Sequence, residues 1–377
     1  MKPIFVAAGE ASGDLHAAAL IRALQARHGG LRFFGLGGEQ MRTAGVDLLY
    51  DLSALAVAGF WEVAKRLVHF RRVFNTVLDR VDTEQPALAI LIDYPGMNLR
   101  LARELKNRGI KVVYYIVPQV WAWKPGRIRQ IEARVDLLLS ILPFEKQLFD
   151  PTKLRCEFVG HPLLDTISIE ASPQTFYTKH KIDPAAEIMA LLPGSREVEI
   201  ERHYRIMLAT VALLQKSDVS VAPFVAIRKE VEASLYAISE GEAGISPVHI
   251  TEERYDLLKS ASVSIVASGT ATLEAALCGR PFCVVYRTGW ITYQIAKRLI
   301  NLKNVGLVNI VAGETIVPEF LQAEMNSENL AAFCRKMLFD PSASETMMQK
   351  LSLVRGRLGK PGAAERAAML IAREFLE

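Results

Sequence analysis

Ile4-Phe5-Val6-Ala7-Ala8-Gly9-Glu10-Ala11-Ser12-Gly13-Asp14 opens the chain with five apolar residues, a polar turn bounded by glycines, and then a change of period. Ala17, Leu20, Ile21 and Leu24 recur at i, i+3, i+4 and i+7, which places them on one face of a helix. Strand, turn and helix is the first half of a crossover unit. Apolar runs at Leu31–Phe34, Leu88–Ile92, Val112–Val117, Leu137–Leu142 and Glu157–Val159 continue it, with helical segments between them, one ending near Gly109 and one starting at Pro125. Such alternation predicts a parallel sheet.

The polar stretch from Asp165 to Glu187, with Pro173 and Pro184, breaks the rhythm and reads as a linker over 166–187. The alternation then restarts with strands at Ile188–Leu192, Val219–Val225, Val263–Ala267 and Phe282–Tyr286. Helices are expected from Glu197 to about Leu214, near Lys229–Ser239 and from Thr272. The fold class predicted is α/β, with two doubly wound, Rossmann-like domains facing each other across a cleft, over residues 1–165 and 188–345. A helical segment, 346–377, is expected to pack back on an amino-terminal domain, its own or that of a second copy in a homodimer.

The 377 residues suit two domains at roughly 150 each. Half the chain is hydrophobic and 23% is charged, which excludes a disordered or fibrous chain. The formal charge of +4 is too small to argue for nucleic acid. Cys156, Cys278, Cys283 and Cys334 lack zinc or CxxC spacing and read as buried, reduced thiols. The Ile4–Ala8 run is too short for a secretory signal, and no stretch approaches the roughly 20 apolar residues of a spanning helix. A cytoplasmic protein is expected.

Common signatures are missing: GxxxxGK[ST], HExxH, GxSxG, and any Asp-x-Asp pair to hold a metal on a diphosphate. No metal and no cofactor are expected. Two strand ends in the second domain suit a nucleotide diphosphate instead. One is Pro193-Gly194-Ser195-Arg196, where a small residue, a hydroxyl and a guanidinium precede a helix. The other is Ser268-Gly269-Thr270, followed by a helix whose Glu274 could accept from ribose hydroxyls. Helix capping by Ser and Thr, and an Arg196 pair with Glu199 or Glu201, are the plainer alternatives. In the first domain Glu10, Ser12, Asp14, Asp93, Asn98 and Gln119 follow strand ends. Asp93 and Asp14 each fit a general base, or a helix cap. The Trp121–Trp123 pair suits packing or a sugar face.

The set GEASGD, GLGGEQM, IDYPGMN, PQVWAWKPGRI, LPFE, FVGHP, LPGSRE and ASGTATLEAAL, with Gly306-Leu307-Val308-Asn309, resembles the lipid-A-disaccharide synthase family over nearly the whole chain. Val117 departs from a common Ser and Met97 from a common Phe. The resemblance implies an inverting, metal-independent glycosyltransferase of GT-B fold in lipid A biosynthesis. Its substrates would be UDP-2,3-diacylglucosamine and 2,3-diacylglucosamine 1-phosphate, joined β-1′,6 with release of UDP. It also implies Asp93 as base with Asp14 in reserve, Arg196 on the leaving diphosphate, and Asn309 among the nucleotide contacts. The acyl chains direct attention to Val57, Phe60, Trp61 and Phe70 beside Lys65, Arg66, Arg71 and Arg72. That segment could dock on the inner leaflet of the inner membrane, or be a core-facing amphipathic helix. A UDP-N-acetylglucosamine 2-epimerase and a nucleotide-sugar sensor are the competing readings.

Overall fold

The structure is a computed structural model that describes residues 3–51, 63–123, 126–228, 231–289, 293 and 303–377. The chain divides into two compact units, Met1–Asp165 with Leu358–Glu377, and Thr166–Arg357.

The first unit holds seven strands: β1 Ile4–Ala8, β2 Phe33–Gly37, β3 Val46–Asp51, β4 Leu88–Ile92, β5 Lys111–Tyr115, β6 Leu137–Ser140 and β7 Arg155–Phe158. They are parallel, in the order β3-β2-β1-β4-β5-β6-β7. β1 and β4, at its centre, are apolar and buried along their whole length, as strands covered on both faces must be. The second unit repeats the plan with β8 Glu187–Leu192, β9 Val221–Ala226, β10 Val248–Ile250, β11 Val263–Ala267, β12 Phe282–Tyr286 and β13 Glu319–Leu321. Its six parallel strands run β10-β9-β8-β11-β12-β13. Each sheet reverses its order once, between β1 and β4 and between β8 and β11. Ligands of doubly wound sheets bind outside the carboxyl ends of the strands flanking that reversal.

Two boundaries differ from the sequence expectation. The stretch 166–187 is not a structureless linker. Ser172 caps a helix over Pro173–Lys179, its hydroxyl accepting from the Thr175 N–H at 3.2 Å. Phe176 on that helix is fully buried beside Phe224, ring centroids 5.5 Å apart. The Asp256 carboxylate accepts the Glu170 and Ala171 N–H groups, each at 2.9 Å, so the segment belongs to the second unit. The return to the first unit begins at Leu358 rather than 346. The helix Pro341–Arg357 buries Met347, Leu351 and Val354 within the second unit, and Arg357 donates to the Val311 carbonyl at 3.1 Å. The helix Ala363–Phe375 then lays an alanine-rich face, with Ile371, on the helix Ala11–Arg27. Arg366 ties it down by donating from Nε to the Val159 carbonyl at 2.8 Å. The segment packs on the amino-terminal unit of its own chain, one of the two placements expected above. All four cysteines are free and buried, as expected.

Candidate active site

In the first unit β1 and β4 are paired in register, Ala8 beside Ile92, so Gly9-Glu10 and Asp93-Tyr94 leave the sheet side by side. Packing there leaves no room for a side chain at residue 9: a Cβ on Gly9 would lie 2.2 Å from the Tyr94 ring. Asp93 and Tyr94 both adopt left-handed backbone conformations, φ 44° and 45°. Non-glycine residues pay about 1–3 kcal/mol each for such geometry, and it persists only where neighbours impose it. They do so here. The Asp93 N–H donates to the Tyr115 carbonyl at 3.0 Å, and the Asp93 carbonyl accepts from the Tyr114 hydroxyl at 2.6 Å and the Asn98 amide at 2.8 Å. The Asp93 carboxyl is thereby presented at the sheet reversal. Burial, with the negative charge of Glu10 second, pushes it up to about 6.

In the second unit Leu192 and Val266 pair across the other reversal. β8 runs into Gly194, φ 138°, where a Cβ would lie 2.6 Å from the Glu199 Cβ. Arg196 then starts the helix Glu197–Gln215 from an extended conformation. Glu199 reaches back one turn, accepting from the Ser195 N–H at 3.0 Å and standing 3.5 Å from the Arg196 guanidinium. The Arg196 side chain is 76% exposed and otherwise available for an anion. Beyond β11, Ser268 donates to the Val305 carbonyl at 3.1 Å. Thr270, exposed, makes no side-chain cap to the helix Ala271–Cys278 that it precedes, so the capping alternative does not account for it. Glu274, on that helix, is 7% exposed and accepts from Arg254 Nη2 at 2.9 Å.

The sequence model of one family, Lipid-A-disaccharide synthetase, matches residues 4–370. The lipid-A-disaccharide synthase of Syntrophus aciditrophicus (strain SB) is 40% identical over 370 residues, covering 98% of this chain and 97% of that protein. The chain belongs to the lipid-A-disaccharide synthetase family. It is therefore a glycosyltransferase of lipid A biosynthesis. Among solved structures, the glycotransferase of kitacinnamycin is similar with TM-score 0.63 and 16% identity, covering 99% of both chains. A protein described as a UDP-N-acetylglucosamine 2-epimerase, from Listeria monocytogenes, has TM-score 0.67 and 13% identity, covering 99% of this chain and 96% of that one. At such identities these two show the fold alone, the GT-B architecture of two parallel α/β sheets.

Within this family member the expected site residues separate into two groups. Glu10, Ser12, Gln119 and Thr270 are exposed at strand ends, and Ser268 and Gly269 are half-buried there. Three others are engaged internally. Asp14 is not a spare base: its carboxylate accepts the N–H groups of Gly38, Gln40 and Met41 at 2.8, 2.9 and 3.1 Å, capping the helix after β2. Asn98 is 1% exposed and spends its amide on the Ala7, Ile92 and Asp93 carbonyls. Asn309 is fully buried; its carbonyl accepts from the Ile316 and Val317 N–H groups and its amide donates to the Val317 carbonyl and Glu319. Both asparagine amides thus hold backbone at the strand ends. Glu319 in turn holds the Val305 and Gly306 N–H groups, next to the carbonyl that receives Ser268.

Residues not anticipated from the sequence are Arg254, His203 and Glu145. His203 Nδ1 lies 2.7 Å from the Pro193 carbonyl, and Nε2 accepts the Arg287 N–H at 2.9 Å, so the ring is held neutral between the ends of β8 and β12. Burial lowers its pKa accordingly. Arg254 directly precedes the segment Tyr255-Asp256-Leu257-Leu258, which carries no motif, so no local signal marks it.

Val57, Phe60 and Trp61 lie outside the described residues. The backbone around Lys65, Arg66 and Phe70 belongs to the helix Val63–Glu84, which buries Val73, Val77 and Val81 and exposes Arg71 and Arg72. Among the described residues no helix is long and apolar enough to cross a membrane.

Proposed function

We propose that the second unit binds UDP-2,3-diacylglucosamine and the first binds 2,3-diacylglucosamine 1-phosphate, with Asp93 as the general base. One observation carries this reading: a carboxyl at the sheet reversal, held in a strained backbone and pushed up to about 6. Asp93 takes the proton of the acceptor 6-hydroxyl as that oxygen bonds to the anomeric carbon. The bond from that carbon to the diphosphate breaks on the opposite face, which inverts configuration and forms the β-1′,6 linkage. UDP leaves with its new charge facing Arg196 and the free N–H groups after Ser268. Gly194 and Gly269, with φ 138° and 129°, let the backbone approach the diphosphate.

The test is incubation with the donor, with and without the acceptor. UDP release is expected only with both. Turnover of donor alone would point to isomerisation, and binding without turnover to a sensor. Saturating EDTA is expected to leave the rate unchanged, because the chain lacks an Asp-x-Asp pair and Arg196 with the N–H groups after Ser268 would meet the charge of the leaving diphosphate.

Glu274 would hold the ribose hydroxyls, with Arg254 fixing its carboxylate. Glu274→Ala is then expected to weaken UDP and UDP-sugar binding together, about tenfold or more, read by calorimetry. Unchanged UDP affinity would remove the ribose assignment.

The exposure of Arg71 and Arg72 supports peripheral association with the inner leaflet of the inner membrane, through the stretch from Val57 to Arg72. Arg71→Glu with Arg72→Glu is expected to reduce co-sedimentation with anionic vesicles while leaving binding to neutral vesicles, and UDP affinity, unaltered. High salt should mimic the change, since exposed charges are screened beyond about 10 Å at 0.1 M. Equal binding of variant and wild type to anionic vesicles would end this reading.

A further inference from the structure

After β5 the chain turns through Pro118 and Gln119 to Trp121, and after β6 it turns through Pro143 and Phe144 to Glu145. Glu145 is 1% exposed. Its carboxyl accepts from the indole Nε1 of Trp121 at 3.3 Å and the backbone N–H of Leu142 at 3.1 Å, and also from the backbone N–H of Ile141. Trp121 is half-buried, and its ring meets Phe144 edge to face, centroids 5.3 Å apart at 85°. Burying a carboxyl is costly, and an apolar residue would pack beside Phe144 at less cost. Besides satisfying backbone N–H groups after β6, the carboxyl adds direction. It fixes the rotation of a partly exposed indole, while Phe144 fixes its plane.

The location gives that direction a use. β4, β5 and β6 are paired in sequence, Ile92 beside Tyr115 and Tyr115 beside Leu139, so the turns that carry Trp121 and Glu145 leave the same carboxyl edge of the sheet as Asp93. Burial pushes Glu145 up to about 8, with the Asp93 charge a smaller contribution. Around neutral pH the base is ionised and Glu145 largely is not, so holding the indole adds no further negative charge to that of Glu10 near Asp93. Cys156, a buried thiol, also lies near Glu145, with Lys146 and Glu157 around it.

We propose that Glu145 is a positioning residue that orients Trp121 as a platform for the acceptor sugar beside Asp93. The inference rests on the reading that the acceptor binds in the first unit. Aromatic faces suit the apolar faces of sugar rings, and a platform whose rotation is fixed sets the height at which a 6-hydroxyl meets the base.

A double-mutant cycle on the full-length chain tests it, using UDP-diacylglucosamine and diacylglucosamine 1-phosphate. Trp121→Ala and Glu145→Ala are each expected to raise the acceptor KM about tenfold, leaving the donor KM within twofold. KM does not depend on how much of a preparation is folded, so lost stability cannot imitate this result. The effect of Glu145→Ala on the acceptor KM is expected to vanish in the Trp121→Ala background, because Glu145 reaches the acceptor through the indole, while its bonds to the Leu142 and Ile141 N–H groups serve the turn. Glu145→Gln, which can still accept from the indole N–H, is expected to recover at least half of the loss. Additive effects, a shift in donor KM, or an unchanged acceptor KM in Trp121→Ala would each overturn the proposal. Asp93→Asn, assayed in parallel, separates it from the reading beneath it. An active Asp93→Asn enzyme would count against the base assignment, whereas an inactive one with an indifferent Trp121→Ala would count against the platform alone.

Discussion

Asp93→Asn is expected to fold, to bind UDP as the wild-type chain does, and to turn over about 10²–10⁴-fold more slowly, the contribution of a positioned general base. The substitution keeps the side chain's shape, and the bonds that hold residue 93 in its left-handed conformation come from its own backbone, Tyr114, Tyr115 and Asn98. Only the proton acceptor is lost. Wild-type kcat/KM should fall as the pH drops through about 6, where Asp93 takes up its proton, and the residual activity of the variant should lack this limb. Glu10→Gln is expected to move the limb to lower pH, because the Glu10 charge helps to raise Asp93.

The same carboxyl makes a stability prediction with a definite sign. A group raised from 3.8 to about 6 by folding favours the folded state at low pH and loses that contribution as the pH rises through its folded value. Asn at this position never ionises. Asp93→Asn should therefore melt higher than wild type above pH 7, by up to about 3 kcal/mol, and show no such advantage below about pH 4. A variant as active as wild type would transfer the base role to another group, and one destabilised at every pH would show that the carboxylate has a structural bond.

Arg196→Ala is expected to lower turnover about 10²–10³-fold, the usual loss when a donor to developing negative charge is removed. Its side chain is 76% exposed and, among the described residues, is tethered by Glu199 at 3.5 Å, so little of the fold depends on it and the melting temperature should scarcely move. Arg196→Lys should recover part of the rate but not all of it, since an ammonium cannot offer two parallel N–H groups to a diphosphate. Full activity in Arg196→Ala, measured at saturating donor, would assign the leaving group's stabilisation to the N–H groups after Ser268 alone.

The sequence by itself determined the central strands of both sheets and the strand ends that carry Asp93, Arg196 and Ser268. These strands are buried on both faces and announce themselves as unbroken apolar runs. It did not reveal β3, β10 or β13, each of which is a sheet edge. Edge strands are covered less completely, and their residues are partly exposed and compositionally unremarkable. The roles of individual polar side chains were decided only by the tertiary structure. Asp14 and Asp93 look alike in sequence, both following a strand end and lying near a helix start. What separates them is distant chain: Gly38, Gln40 and Met41 consume the carboxylate of Asp14, whereas the Asp93 carboxyl stays at the reversal beside Glu10. Asn309 meets Glu319, Glu274 meets Arg254, and Trp121 meets Glu145, each across a separation that local pattern does not encode. Hydrophobic periodicity is a property of neighbours along the chain, while the partner of a buried polar group is chosen by which elements the fold brings together.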